Sequence, residues 1–155
     1  MSNTEMNLSQ DTASCIRAAQ LALGYPPELD PQADTLQTLP DILAQAVKKY
    51  PARPAYSCMG KTLRYADVDA LSQQFASYLQ NHTSLKAGDR VAIQLPNVLQ
   101  YPVAVFGALR AGMVVVNVNP LYTPDEMQHQ LSDSGAVAIV ILANMASKLQ
   151  DILSA

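Results

Sequence analysis

No block of basic residues occurs in this 155-residue chain, which sets 10 Lys and Arg against 13 Asp and Glu for a net charge of -3. The electrostatic footprint of a nucleic-acid binder is therefore missing, and nucleic acid is not expected as a partner. Long apolar runs are missing as well. Asn, Gln, Arg and Pro interrupt even the richest region before it reaches the roughly 18 apolar residues that a membrane-spanning helix requires. The opening MSNTEMNLSQDTASC has no basic segment followed by an apolar run, so it does not read as a secretory signal. Cysteine is scarce: Cys15 and Cys58 stand far apart with no CxxC or ligand-like spacing, which leaves metal and redox motifs without support. Reduced thiols in a cytoplasmic protein are expected. The six glycines are isolated, so neither GxGxxG nor GxxxxGK exists and no contiguous phosphate cradle can form. No Gly-x-Ser-x-Gly elbow marks a hydrolase nucleophile.

What is present is a folding sequence. Hydrophobic residues make up 49% and charged residues 15%, a balance that suits one globular domain able to bury a core. Residues 1–37 read as a leading segment. Thr12, Ile16, Ala19 and Leu23 suggest a weakly amphipathic helix over Ser9 to Leu23, and the stretch from Tyr25 to Gln37, rich in Pro, Asp and Gln, reads as a linker. The organised domain is expected over 38–155. It begins with a helix from about Leu39, with Pro40 at a first helical position, Ile42, Leu43, Ala46 and Val47 on one face, and Lys48 and Lys49 at its negative end. Two β-prone runs, Ala55 to Ser57 and Thr62 to Arg64, flank Met59-Gly60 and predict a hairpin. Tyr65 to Asn81 then carries Val68, Leu71, Phe75, Tyr78 and Leu79 at helical spacing.

From Lys86-Ala87-Gly88-Asp89, a turn, the chain alternates. Val91 to Leu95 reads as a strand buried on both faces, Pro102 to Ala111 as a buried helix closed by Gly112, and Met113 to Val118 as a second strand. Thr123, Pro124 and Glu126 form a capping box for a helix that Gly135 ends. Ala136 to Leu142 is a third strand, and Asn144 is placed to cap a last helix through Met145, Leu149 and Ile152. Strands alternating with helices predict parallel pairing. The fold class is thus α/β, a mostly parallel sheet with flanking helices, preceded by a helix and a short hairpin.

Few residues suggest chemistry. His129 lies one turn from Glu126 and Asp133, and its plain reading is a solvated helix face; His82 follows a helix end. No residue reads as catalytic and none as a metal ligand. Asn117, Asn119 and Tyr122 stand apart, because they fall at the carboxyl end of the second strand, where ligands of open α/β sheets collect. Their plainer reading is a turn whose asparagines bond their own backbone.

The ordered series LKAGDRVAIQLPNVLQYPVAVFGALRAGMVVVNVNPLYTPDEMQHQLSDSG, over Leu85 to Gly135, resembles the N-terminal part of bacterial long-chain acyl-CoA synthetases in the adenylate-forming superfamily. The resemblance runs from about Tyr25 to Ala155 and is densest in LPNVLQYPVAVFGALRAG and VVNVNPLYTPDEM. It implies the N-terminal subdomain of that fold in a parent enzyme that activates a long-chain fatty acid with Mg-ATP to an acyl adenylate and passes the acyl group to CoA. It implies that the parent's cofactors and partners are ATP, Mg2+, CoA and the fatty acid. The phosphate-binding loop, the adenine and ribose contacts and the C-terminal domain with its catalytic lysine are expected beyond Ala155, so these residues alone are expected to hold no cofactor and to be inactive. It also implies that the turn at Asn117, Asn119 and Tyr122 lies near the CoA channel. Peripheral association of the parent with the inner membrane, and self-association of this chain through a face the rest of the enzyme would cover, are further expectations. The alternatives are a part of another adenylate-forming enzyme, of the luciferase or coumarate-CoA ligase type, and a free-standing flavodoxin-like binding or interaction module.

Overall fold

Several elements from Thr38 onward begin or end on a residue whose chemistry accounts for it. The computed structural model describes residues 38–153 and, before them, Ala18. The leading helix and linker expected over 1–37, and Cys15, lie outside this description. Helix α1 spans Leu39–Lys49 and is capped by Thr38, whose hydroxyl accepts from the Asp41 amide while the Asp41 carboxylate accepts from the Thr38 backbone. That reciprocal box was not anticipated. Leu43 is buried, but Ile42, expected on the same face, is 51% exposed.

Strands β1 (Pro54–Cys58) and β2 (Lys61–Arg64) form the expected antiparallel hairpin. Its two central residues, Met59 and Gly60, have φ of 49° and 75°, the left-handed pair that matches the twist of a two-residue hairpin. Glycine takes this conformation freely, whereas Met59 holds it against its own Cβ. Helix α2 spans Tyr65–His82. Its buried line is Val68, Ser72, Ala76 and Leu79, while Leu71 and Tyr78, grouped with the apolar face on spacing, are 38% and 52% exposed. The face was displaced because the opposing helix needs small residues, not bulky ones, at the contact.

That opposing helix is α3, Gln100–Arg110. A Cβ on Gly107 would lie 2.7 Å from the Phe75 ring and 3.0 Å from the Ser72 carbonyl, so the two helices approach through glycine and alanine. Three parallel strands carry the remainder: β3 (Arg90–Gln94), β4 (Val114–Asn117) and β5 (Ala138–Ile141), in the order β4-β3-β5. The central β3 is covered on both sides, with Val91, Ala92, Ile93 and Gln94 all buried. Successive residues alternate between faces. Val91 joins Ala76, Leu79, Ala108 and Met113, whereas Ala92 joins Val118 and Met127 of the opposite layer.

Helix α4, Pro124–Ser134, opens on the predicted Thr123–Glu126 box and closes on Gly135 at φ 63°. The last helix departs from expectation. Asn144 does not cap it but sits inside a short 3-10 turn, Ala143–Met145, that follows Leu142 and leads into α5, Ala146–Leu153.

Candidate functional site

Both asparagines of the NVNP segment lie at the carboxyl edge of the sheet, where β4 ends. Asn119 organises the turn. Its Oδ1 accepts from the Leu121 amide at 3.0 Å, and its carbonyl accepts from the Tyr122 amide at 3.1 Å. The Asn119 side chain is therefore spent on its own backbone, as the plainer reading anticipated. Asn117 is different. Its Oδ1 accepts from the Tyr101 hydroxyl at 2.9 Å, a bond from β4 to α3. This contact fixes the asparagine's orientation, because a phenol can donate to the amide oxygen. The Nδ2 groups of Asn117 and Asn119 have no protein partner among the described residues, and both residues are exposed. Tyr122 is half-buried and packs on the Ala92, Val118 and Met127 layer. The three residues chosen from sequence are thus adjacent; both asparagines keep a free donor, but only Asn117 has its side chain fixed from another element, by the Tyr101 hydroxyl of α3.

Two glutamines clamp this turn. Gln94, 1% exposed at the end of β3, donates through Nε2 to the Asn119 carbonyl at 3.2 Å. Gln130 on α4 donates through Nε2 to the Asn117 carbonyl at 2.9 Å. A carbonyl only accepts, so both amides must point their nitrogens at the turn. Each amide oxygen is consequently buried with no partner. Two orphan acceptors at one strand edge are costly in a folded domain, at about 1–3 kcal/mol each. Sequence reasoning missed both residues. A signal existed for Gln94: it is the one polar side chain in the run Val91 to Leu95.

Below the turn, the Glu126 carboxylate accepts from the Thr123 amide at 2.8 Å and from its hydroxyl at 2.9 Å. These bonds hold its pKa below the ordinary value, the backbone bond contributing most. The site is otherwise poor in charge. Among the described residues no group of three His, Cys, Asp or Glu could hold a metal ion, so no chemical step is assigned to a metal here. His129 is exposed on α4, and His82 stacks on Tyr78 with ring centroids 5.7 Å apart. Cys58 donates its thiol to the Asn97 carbonyl at 3.2 Å, and Phe106 is half-buried on α3. No described helix is long and apolar enough to cross a membrane.

Concave apolar surface lies elsewhere, beside β5. A cavity of about 600 Å³ opens between α4, β5 and α5, lined by Leu131, Val137, Ile139 and Leu149 among others. Two smaller ones, of about 390 and 330 Å³, lie on the other side of the strand and share Phe75, Val140 and Ile141. Neither Asn117, Asn119 nor Tyr122 lines any of the three.

Comparison with known proteins fits this architecture. Residues 43–155 match the model of the family described as AMP-binding enzyme. A long-chain-fatty-acid–CoA ligase of Escherichia coli O157:H7 is 52% identical over 128 residues, covering 83% of this chain and 22% of the relative. Among solved structures, Mycobacterium smegmatis MbtA superposes with a TM-score of 0.71 at 31% identity, over 76% of this chain and 22% of that one. The N-terminal domain of FACL13 from Mycobacterium tuberculosis gives a TM-score of 0.71 at 27% identity, over 77% of this chain and 31% of that one. The chain spans 22% of the length of such curated Escherichia coli ligases. The α/β fold is that of the N-terminal subdomain of adenylate-forming enzymes.

Proposed function

The chain belongs to the AMP-binding enzyme family, and from that premise we propose that it serves as the N-terminal part of a cytoplasmic long-chain-fatty-acid–CoA ligase. The observation that carries the reading is the 52% identity to such a ligase across 128 residues. Identity to a rice 4-coumarate–CoA ligase, over a shorter 81 residues, is 40%, which favours the fatty-acid branch. In the whole enzyme the fatty-acid carboxylate attacks the α-phosphorus of ATP, giving an acyl adenylate and pyrophosphate. The CoA thiol then attacks the acyl carbon and AMP leaves. Mg2+ would supply charge neutralisation on the phosphates in such chemistry.

Within this proposal the chain acts by positioning. The turn at Asn117, Asn119 and Tyr122 borders the CoA path, with the Asn117 Nδ2 as the donor that meets CoA. Tyr101 orients that amide. Gln94 and Gln130 hold the turn from two sides. A fixed donor loses little entropy when the ligand arrives, which is the gain from such preorganisation. The open edge of β5 and its flanking cavities are the surface that the rest of the enzyme, or a second copy of this chain, would cover.

A chimera tests the reading. This chain replaces the aligned segment of the Escherichia coli ligase, and acyl-CoA formation is assayed with a long-chain fatty acid, ATP and CoA. Activity within about tenfold of the parent is expected, since a 1.4 kcal/mol misfit costs that factor. A folded chimera that adenylates no long-chain fatty acid would refute the assignment.

A further inference from the structure

Gln94 and Gln130 carry the unmatched hydrogen-bonding capacity of an otherwise closed layer. Gln94 is 1% exposed, and both amide oxygens are shielded from solvent without a donor from the described residues. Exchanging oxygen and nitrogen in either amide relieves nothing, because Oε1 would then face a carbonyl that only accepts, that of Asn119 for Gln94 and that of Asn117 for Gln130. The fold places both oxygens in the same layer. Side chains alternate along β3, so Gln94 points to the side of Ala92, which packs with Val118 and Met127. Gln130 follows Met127 by three residues on α4 and shares its inward face. The two anchoring carbonyls belong to the residues on either side of Val118, which is itself buried in that layer.

We propose that Gln94 Oε1 and Gln130 Oε1 form a binding site for a single internal water molecule, which donates one O–H to each and ties β3 to α4 beneath the Asn117–Asn119 turn. A water offers two donors, and the site has two acceptors that lack one. Two separate waters would each leave a donor facing the apolar side chains of Ala92, Val118 and Met127, an unmade hydrogen bond in an apolar layer. Internal waters characteristically join buried polar groups that the protein leaves unmatched. A metal cation suits the site less well, since it needs further oxygens or a compensating carboxylate, and the three carboxylates of α4, Asp125, Glu126 and Asp133, are exposed. Neither glutamine lines any of the three apolar cavities, in keeping with an occupant of single-water size. With the water in place, one connected network holds the turn, rather than two separate clamps. This inference is independent of the ligase reading, since it holds whether or not the turn meets CoA.

A high-resolution crystal structure of the 155-residue chain, together with amide hydrogen exchange, tests it. One ordered water is expected within about 3.2 Å of both Oε1 atoms. It should stay when sodium in the crystal is replaced by rubidium, and it should be absent from Gln94→Met crystals although Gln130 remains. In solution, Gln94→Met and Gln130→Met should each speed exchange of the Tyr122 amide, which bonds to the Asn119 carbonyl, about fivefold. Each substitution dismisses the same water, so the double variant should reach less than about tenfold, whereas independent clamps would multiply to about twenty-fivefold. No density between the amides, two waters with one on each glutamine, an anomalous rubidium peak, or exchange in the double variant at the multiplied value would each overturn the proposal.

Discussion

Arg110 on α3 reaches across to Asp69 on α2: Nη2 pairs with the carboxylate, while Nη1 donates to the Asp69 carbonyl at 2.9 Å and to the Ser72 hydroxyl at 3.1 Å. One side chain thus joins two helices by a charge and two neutral acceptors. The side chains are only 15% and 25% exposed, which places the pair between a surface bridge and a buried one. Arg110→Met should therefore cost about 1–3 kcal/mol, above the surface range and below that of a fully buried pair. Arg110→Lys should recover only part, because an ammonium cannot serve the carboxylate, the carbonyl and the hydroxyl with one planar fork. Urea unfolding of the 155-residue chain reads both. A loss below about 0.3 kcal/mol for Arg110→Met would show that the network contributes nothing.

The contact that sets this geometry is Gly107 against Phe75 and Ser72. Gly107→Ala normally gains helix propensity, about 1 kcal/mol. Here the new methyl would meet the Phe75 ring and the Ser72 carbonyl inside van der Waals distance, so the helices must separate. A net destabilisation of about 1–3 kcal/mol is expected from overpacking. Stabilisation by the substitution would mean that α2 and α3 are less closely packed than described.

These two contacts also explain what the sequence could and could not reveal. Strand and helix order was legible because Val91 to Leu95 and its neighbours are short apolar runs between glycine turns, and the parallel order follows from alternation. The buried face of α2 was misread because hydrophobicity favoured Leu71 and Tyr78, while the actual interface selects Ser72 and Ala76 for size. Nothing local in YADVDALSQQF announces that a glycine 32 positions beyond Phe75 will lie against it. The turn at Asn117 and Asn119 was legible for a similar local reason: Asn before Pro signals it. Its clamps were not, since Gln130 reads as a solvated residue of α4 until the tertiary bond to Asn117 is seen.

The clamp yields a prediction in which stability and function separate. Gln94→Met removes a donor to the Asn119 carbonyl, but that carbonyl keeps the Tyr122 amide, and the buried Oε1 orphan disappears as well. Stability should change by less than about 1 kcal/mol. In the active chimera the same substitution should raise KM for CoA several-fold with KM for ATP unchanged, because the turn loses one of its fixed points. Asn117→Ala should do so more strongly. Equal effects on both substrates would remove the turn from the CoA path.

Acid should release both capping boxes. The carboxylates of Asp41 and Glu126 are held below their ordinary pKa by the bonds from Thr38 and Thr123, the hydroxyl bond being larger for Asp41 and the backbone bond for Glu126. A depressed folded-state pKa gives stability that is complete above the unfolded value, roughly pH 4 to 4.5, and lost as pH falls through the folded value. Glu126→Gln should therefore flatten part of the acid limb of a thermal-midpoint profile and leave its shape near pH 7 unchanged. An identical acid limb in wild type and variant would show that this box is not coupled to folding.

The 155-residue polypeptide by itself should bind Mg-ATP no more tightly than about 1 mM, equivalent to about -4 kcal/mol, and should form no acyl-CoA. Tight nucleotide binding needs backbone amides converging on the phosphates and a cation to offset their charge. The glycines at 88, 112 and 135 are spent on separate turns at positive φ. Arg90 begins β3, Arg110 ends α3 and pairs with Asp69, and Lys86 lies in the turn before β3. All three therefore belong to the edge where β3 starts, whereas the Asn117 turn follows the end of β4. The hairpin's Lys61 and Arg64 are exposed. A phosphate at the candidate turn would find amide donors and no positive charge. Calorimetry with Mg-ATP, and a CoA-consumption assay with a long-chain fatty acid, should both be flat. Micromolar ATP binding, or turnover that tracks the purified polypeptide, would require a nucleotide site assembled from distant segments and would overturn the division of labour proposed for this chain.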